Sequence, residues 1–525
     1  MKQIVSIFSL LFFCSIISSA QVKKEIVPAK VDLRQDSGNS NITKPQKSIT
    51  QGSVTVEDTR INYQAVAGTL ILKSKDNKPT CSMFYVAYFK DGLSDESQRP
   101  VTFIYNGGPG SATLLLHILA GGPRRVFLSD TAHFNAPYKT VNNEYSLLDV
   151  SDLVFIDAPG TGFSRIITKK MGGEGTSKDF YGADPDAQAF AQFITTFLSE
   201  YGRWNSPKYL MGESYGTFRS ALVSKILEME DGVSLNGIIL ISQILNIGNM
   251  SDNPAMNPGI YQPYIFLLPS FAAVAWYHHK LPNRPEQLLP FLDEVKHFAE
   301  NDYTLALQKG SLLDSSSFDQ IAEKLHDYTG LSVSYIKKAN LRVGGLEFEH
   351  ELLEKEGMIT GRFDARYKDY AINPMGQYQI YDPADAHIDA QFISTFNDYV
   401  RNVLHFGKDQ NYLVGSDDAY NQWNYNHKIP SETDPMENTY SNSMPDLAQA
   451  MIYNPKMKVM LNMGYFDLAT PFFEGEYEMH HLPIPNELQK NISYEYYYSG
   501  HMVYLHIPAL AKLHDNVAKF INNTH

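Results

Sequence analysis

Two kinds of hydrophobic pattern alternate along the chain. From Ser53 to Phe89 three β-rich runs follow one another, SVTV, INYQAVAGTLIL and CSMFYVAYF, and the turn-forming stretch Lys75–Pro79 separates the second from the third. This spacing predicts an antiparallel start. A different rhythm follows. VTFIYN (101–106) reads as a buried strand running into the glycine-rich loop GGPGSA, and DLVFIDAPG (152–160) as another strand ending in a loop. Asp184-Pro185 opens a helix, with Asp as its cap and Pro at its first position, and Phe190, Phe193, Ile194 and Phe197 recur at helical spacing. KYLMG (208–212) is a strand, Tyr215–Met229 a helix, and LNGIILIS (235–242) the next strand. The rhythm breaks between about 250 and 405, where Pro- and Tyr-rich segments and amphipathic helical stretches take over. It returns at KVMLNMGYFD (458–467), SYEYYY (493–498) and a C-terminal helix from Ile507 to Phe520. The fold class is therefore α/β: a mostly parallel central sheet with helices on both faces, interrupted by a large helical insertion. The expected divisions are a core over 51–249, the insertion over 250–405 and the rest of the core over 406–525.

The first residues, MKQIVSIFSLLFFCSIISSAQ, place one Lys before an apolar run that ends in small residues at Ala20. This predicts a secretory signal peptide over 1–20, its apolar part too short to span a bilayer comfortably. A lipoprotein reading would use Cys14, but Phe12 and Phe13 precede it where small residues belong. Residues 21–50 are polar and aperiodic and read as a flexible leader. The expected product is exported, to the periplasm or the external medium, without a membrane span. Its one remaining cysteine, Cys81, leaves no internal disulfide and reads as a packing residue. With 43% hydrophobic and 19% charged residues the composition is globular. A net charge of -14 excludes a general basic field for nucleic acid.

Gly212-Glu213-Ser214-Tyr215-Gly216 fits G-x-S-x-G where a strand turns into a helix, the context in which that pattern lifts a nucleophilic serine above a sheet. A catalytic serine needs a base, an orienting acid and an oxyanion hole. In the order Ser, Asp, His, the candidates are Asp467 and His501, each in the loop after one of the last two strands, where open α/β sheets bind ligands. Taken alone, Asp467 reads equally as a loop cap and His501 as a buried structural histidine. Their order and placement together favour catalysis. The loop Asn106–Gly110 leaves backbone N–H groups open to a substrate oxygen. It lacks the G-K-[ST] of a phosphate loop.

These residues carry a resemblance. IYNGGPGSA, FIDAPGTGFS, YLMGESYGT, GYFD and GHMVY run in the order seen in serine carboxypeptidases, a family with the α/β-hydrolase fold, and span about 100 to 505. The resemblance implies Ser214 as nucleophile, His501 as base and Asp467 as its orienter, without cofactor or metal. It implies an oxyanion hole from the N–H groups of Gly108 and Tyr215. It also implies that Asn106, the Gly107 N–H and Glu213 hold the terminal carboxylate of a peptide substrate, and that the insertion is a lid that shapes the side-chain pockets. Two carboxylates at close range repel by roughly 4 kcal/mol at intermediate dielectric, about three pKa units. Glu213 is therefore expected to bind a free C-terminus in its protonated form, sharing one hydrogen, and to favour acid pH.

The chain departs from the family pattern at Ser111, where a cysteine is usual, and at Ala120, where a second glutamate often stands before Gly-Pro. His278-His279 and His480-His481 suggest metal only superficially, because no H-E-x-x-H exists and adjacent histidines point different ways. The aromatic run over 261–277 reads as packing rather than pocket lining. Two other readings keep the same residues: an esterase or acyltransferase using the triad, or a non-catalytic periplasmic binding protein on a hydrolase scaffold.

Overall fold

The computed structural model describes residues 42–128, 136–252, 254–428 and 441–524. The signal-peptide expectation and residues 21–41 of the leader lie outside the described residues. Nine strands carry the central sheet: β1 Lys47–Val56, β2 Thr59–Lys73, β3 Pro79–Lys90, β4 Val101–Tyr105, β5 Asp152–Ile156, β6 Lys208–Glu213, β7 Gly237–Ile241, β8 Lys458–Gly464 and β9 Ile492–Tyr497. Their order is β1-β2-β3-β5-β4-β6-β7-β8-β9, and the two-residue strand Arg165–Ile166 pairs with β3 as a tenth. β1, β2 and β3 are antiparallel, β3 meets β5 antiparallel, and every pair from β5 to β9 is parallel. The expectation of a mostly parallel sheet behind an antiparallel start is met.

Burial on both faces explains the continuous apolar runs. In β6, Leu210 packs into one core while Tyr209 and Met211 enter the other. In β7, Ile238 and Leu240 oppose Ile239 and Ile241. The helix α1 (Ala183–Glu200) lays Phe190, Phe193, Ile194 and Phe197 on the first face, joined by α2 (Tyr215–Met229). The C-terminal α7 (Ile507–Thr524) covers the second with Leu510, Leu513, Val517 and Ile521.

Two local expectations are corrected. β1 begins at Lys47, inside the stretch read as leader. It is an edge strand with half-exposed side chains, so pairing with β2 holds it without an apolar signature. At α1 the cap is Gly182, and Asp184 lies within the first turn. There its carboxylate contacts His427 Nδ1 at 2.5 Å and accepts from the Lys428 N–H at 3.2 Å. Pro185 is still accommodated, because the first-turn N–H groups have no intrahelical partner.

Between β7 and β8 the chain forms further helices, among them α3 (Gln262–Tyr277) and α4 (Pro383–Asp398). The aromatic run in α3 is buried packing, with Tyr264, Phe266 and Phe271 in the core. Two more helices follow, α5 (Met444–Tyr453) before β8 and α6 (Phe472–His480) after it. Cys81 is a buried free thiol in β3, and burial raises its pKa.

Candidate active site

The carboxyl ends of β4, β6, β8 and β9 converge on a cavity of about 280 Å³ lined by Asn106, Gly107, Gly108, Glu213, Ser214, Tyr215, Thr470 and His501 among others. Ser214 sits between β6 and α2 with φ 57° and ψ -128°, a strained conformation that lifts its side chain off the sheet. The neighbouring glycines follow from close approach. A Cβ on Gly212 would lie 2.2 Å from the Gly216 carbonyl, and one on Gly107 would lie 2.5 Å from the Tyr215 nitrogen. The loop after β4 thus crosses directly over the first turn of α2, where N–H groups lack intrahelical partners. Thr217, whose part is not legible in the sequence, braces the turn. Its hydroxyl donates to the Ser214 carbonyl at 2.7 Å and accepts from the Ile244 N–H at 3.0 Å.

Asp467 and His501 meet with Oδ2 and Nδ1 2.8 Å apart. Asp467 is further fixed by the N–H groups of Ala469 (2.8 Å) and Thr470 (2.9 Å) and by the Thr470 hydroxyl (2.8 Å). Burial pulls the His501 imidazole down. The Asp467 carboxylate and Glu213 outweigh it, opposed by Arg362, and the net shift is upward from 6.5.

Glu213 is buried, and its Oε2 accepts from Asn106 Nδ2 at 2.5 Å and from the Tyr504 hydroxyl at 2.6 Å. Desolvation raises its pKa from 4.5 to about 7, more than His501 and these two donors lower it. Asn106 is itself oriented, since its Oδ1 accepts from the Leu116 N–H at 3.2 Å and its carbonyl from Arg219 Nη1 at 2.8 Å. Arg219 is wholly buried and paired with Asp186 at 2.6 Å.

Ser214, Asp467, His501, Gly108, Tyr215, Asn106, Gly107 and Glu213 are thus brought to one place. Ser111 also lines the cavity, whereas Ala120 is buried outside its lining. Sequence reasoning missed Tyr504, Thr470, Phe363 and Arg219. Only Tyr504 carried a signal, as the last residue of the GHMVY block. Among the described residues no group of three His, Cys, Asp or Glu could hold a metal ion. His278 Nε2 lies 2.7 Å from the Ala365 carbonyl, and His481 stacks on Tyr477.

The family described as serine carboxypeptidase matches residues 57–504. The chain belongs to the serine carboxypeptidase family. The serine carboxypeptidase-like 36 of Arabidopsis thaliana is 29% identical over 178 residues, covering 32% of this chain and 33% of that protein. The pheromone-processing carboxypeptidase KEX1 of Saccharomyces cerevisiae is 26% identical over 208 residues, covering 38% and 27%. The chain thus spans about a third or less of the length of the curated relatives it matches. A crystal structure of the Saccharomyces cerevisiae prohormone-processing carboxypeptidase matches 93% of each chain at 16% identity with a TM-score of 0.54. The fold of this serine carboxypeptidase family member is the α/β-hydrolase fold. No helix among the described residues is long and apolar enough to cross a membrane.

Proposed function

We propose that the chain is an exported serine carboxypeptidase that removes the C-terminal residue of peptides through an acyl-enzyme. Ser214 Oγ attacks the last peptide carbonyl while His501 takes its proton, and Asp467 holds the imidazole and balances its charge. The N–H groups of Gly108 and Tyr215 receive the oxyanion. His501 then hands its proton to the leaving amine, the C–N bond breaks, and water releases the acyl group by the reverse proton route. Asn106, the Gly107 N–H and Glu213 hold the terminal carboxylate. The helical segment over 250–405 acts as the lid that shapes the side-chain pockets.

One observation carries this reading: a buried carboxyl beside Ser214, held protonated up to about 7 by desolvation. In that form it donates a hydrogen to a substrate carboxylate, and above that pH it repels one. Its Oε2 already takes two donors, so Oε1 is the oxygen that meets the substrate. Activity on free-acid peptides is bounded below by protonation of His501 and above by ionisation of Glu213, two titrations that act on each other.

The test compares one peptide with its C-terminal amide, from pH 5 to 8. The free acid is cleaved faster at low pH, and the advantage shrinks as pH rises through about 7. Equal cleavage of both at every pH would refute the reading in favour of an esterase, acyltransferase or other peptidase.

A further inference from the structure

Strand pairing brings β8 and β9 side by side, yet Asp467 and His501 both lie in the loops beyond them. Catalysis needs such groups held to about 0.5 Å. Something must fix the two loops to each other. A short segment from the helical region between β7 and β8, Arg362–Arg366, touches both.

On the His501 side, the Phe363 carbonyl accepts from the His501 N–H at 2.5 Å. The Phe363 ring lies against the imidazole, centroids 5.2 Å apart and tilted 43°. Asp364 Oδ2 accepts from the Gly500 N–H at 3.2 Å. Arg366, paired with Asp364, donates to the Tyr498 carbonyl at 2.8 Å and the Ser499 hydroxyl at 3.2 Å. On the Asp467 side, the Arg362 carbonyl accepts from the Leu468 N–H, and the Ala365 N–H donates to the Phe466 carbonyl, each at 3.0 Å. The approach leaves no slack, since a Cβ on Gly500 would stand 2.3 Å from the Phe363 carbonyl. The segment is tied in turn to α4. Asp382 Oδ2 accepts from the N–H groups of Arg362 and Phe363 at 2.9 Å each, and its Oδ1 caps α4 through the Ala384 N–H at 2.7 Å. Phe363 and Asp385 of α4 both line the cavity.

We propose that Arg362–Arg366 is a clamp that sets the His501–Asp467 geometry, with Phe363 the positioning residue for the imidazole. The proposal rests on the triad reading above. It makes the helical region a working part of proton transfer as well as a wall of the substrate cavity. A side chain seated against Phe363 presses on the base itself, so substrate fit and base orientation are coupled through one ring.

The test uses the full exported chain with Phe363→Ala, Phe363→Leu and Phe363→Tyr. In the Ala variant, kcat for a free-acid peptide and for p-nitrophenyl acetate falls together by ~10- to 100-fold, the scale of a misplacement near 1 Å, while KM changes far less. The low-field proton resonance of the His501 Nδ1–H shifts or disappears. Phe363→Tyr, which keeps the ring, recovers most of both signals, and Phe363→Leu supplies the comparison if the Ala variant does not fold. A full kcat with an unmoved resonance in the Ala or Leu variant overturns the clamp, whatever happens to the melting temperature. Failure of the triad reading looks different: Ser214→Ala would then hydrolyse the ester at the unsubstituted rate. The resonance needs only the His501–Asp467 bond and still reports on Phe363 in that case.

Discussion

The two halves of the site are built by different means. The Ser214 half is local: β6 ends at Glu213, Ser214 follows and leads straight into α2, and Ser214 is held at φ 57° by its own turn. Most of what restrains it is backbone, including the packing of Gly212 against Gly216, where a Cβ would stand 2.2 Å from the carbonyl oxygen. The His501 half is assembled from distance. The His501 carbonyl accepts from the Ser242 hydroxyl, 259 residues away, and the Gly500 N–H reaches Asp364, 136 residues away. A backbone-built half tolerates little and fails outright. A half assembled from distant segments can be detuned in steps at the side chains that support it, which is where substrate preference and pH response can change without loss of the fold.

The largest effect that sharpens this contrast is at Ser214. Ser214→Ala is expected to lower kcat/KM by ~10⁴-fold or more with no change in melting temperature, read by peptide hydrolysis and by loss of fluorophosphonate labelling. Next is Arg219, a long-range brace behind the Ser214 turn. It joins Asp186 to the Asn106 carbonyl inside the core. Arg219→Met leaves Asp186 buried without its partner and should cost about 3–5 kcal/mol of stability in urea denaturation. Adding Asp186→Asn should return part of that loss, and no return would mean that the pair does not act as a unit.

The contrast also decides what could be read from the chain. β4 to β8 were legible because strands buried on both faces are continuous apolar runs, and α2 because a strand–glycine–helix turn leaves a dense local signature. The start of β1 was not, since an edge strand can be polar. Asp184 illustrates a second limit: a first-turn aspartate looks like a cap, but its partner is His427, and nothing local reveals a partner that far along the chain. At the site, Ser214, Asp467 and His501 were legible as candidates through their order and strand-end positions, and the structure brings them together. Thr470 and Phe363 were not, because a residue that holds another in place needs only proximity, which sequence spacing does not encode.

Glu213 gives a smaller, pH-dependent effect. In the unfolded chain its carboxyl ionises from about 4.5, whereas in the folded chain burial keeps the proton to about 7. Its folded pKa is raised, so its contribution to stability is highest below 4.5 and declines as pH rises to about 7, about 1.4 kcal/mol per unit and about 3 kcal/mol in all. Glu213→Gln removes this slope. The variant should therefore gain on the unsubstituted chain in urea denaturation between pH 5 and pH 8, and its preference for a free C-terminus over an amide should no longer fall as pH rises, because the Gln amide donates at every pH. A stability difference that does not vary with pH would contradict the buried proton.

The smallest effect is at Tyr504, and its sign is the informative part. The Tyr504 hydroxyl donates to Glu213 Oε2 at 2.6 Å, and that bond favours the ionised carboxylate. Tyr504→Phe removes one of two donors and leaves Asn106 in place. The Glu213 pKa should then rise above about 7, by about one unit for a charge-assisted bond worth about 1.5–3 kcal/mol that Asn106 and relaxation partly replace. The variant should thus hydrolyse free-acid peptides to a higher pH, while the profile for p-nitrophenyl acetate, which carries no terminal carboxylate, stays in place. Losing a hydrogen bond in the site would then widen the working range. A basic limb that stays fixed or moves down would separate Tyr504 from Glu213 and leave it a packing residue at the end of the GHMVY turn.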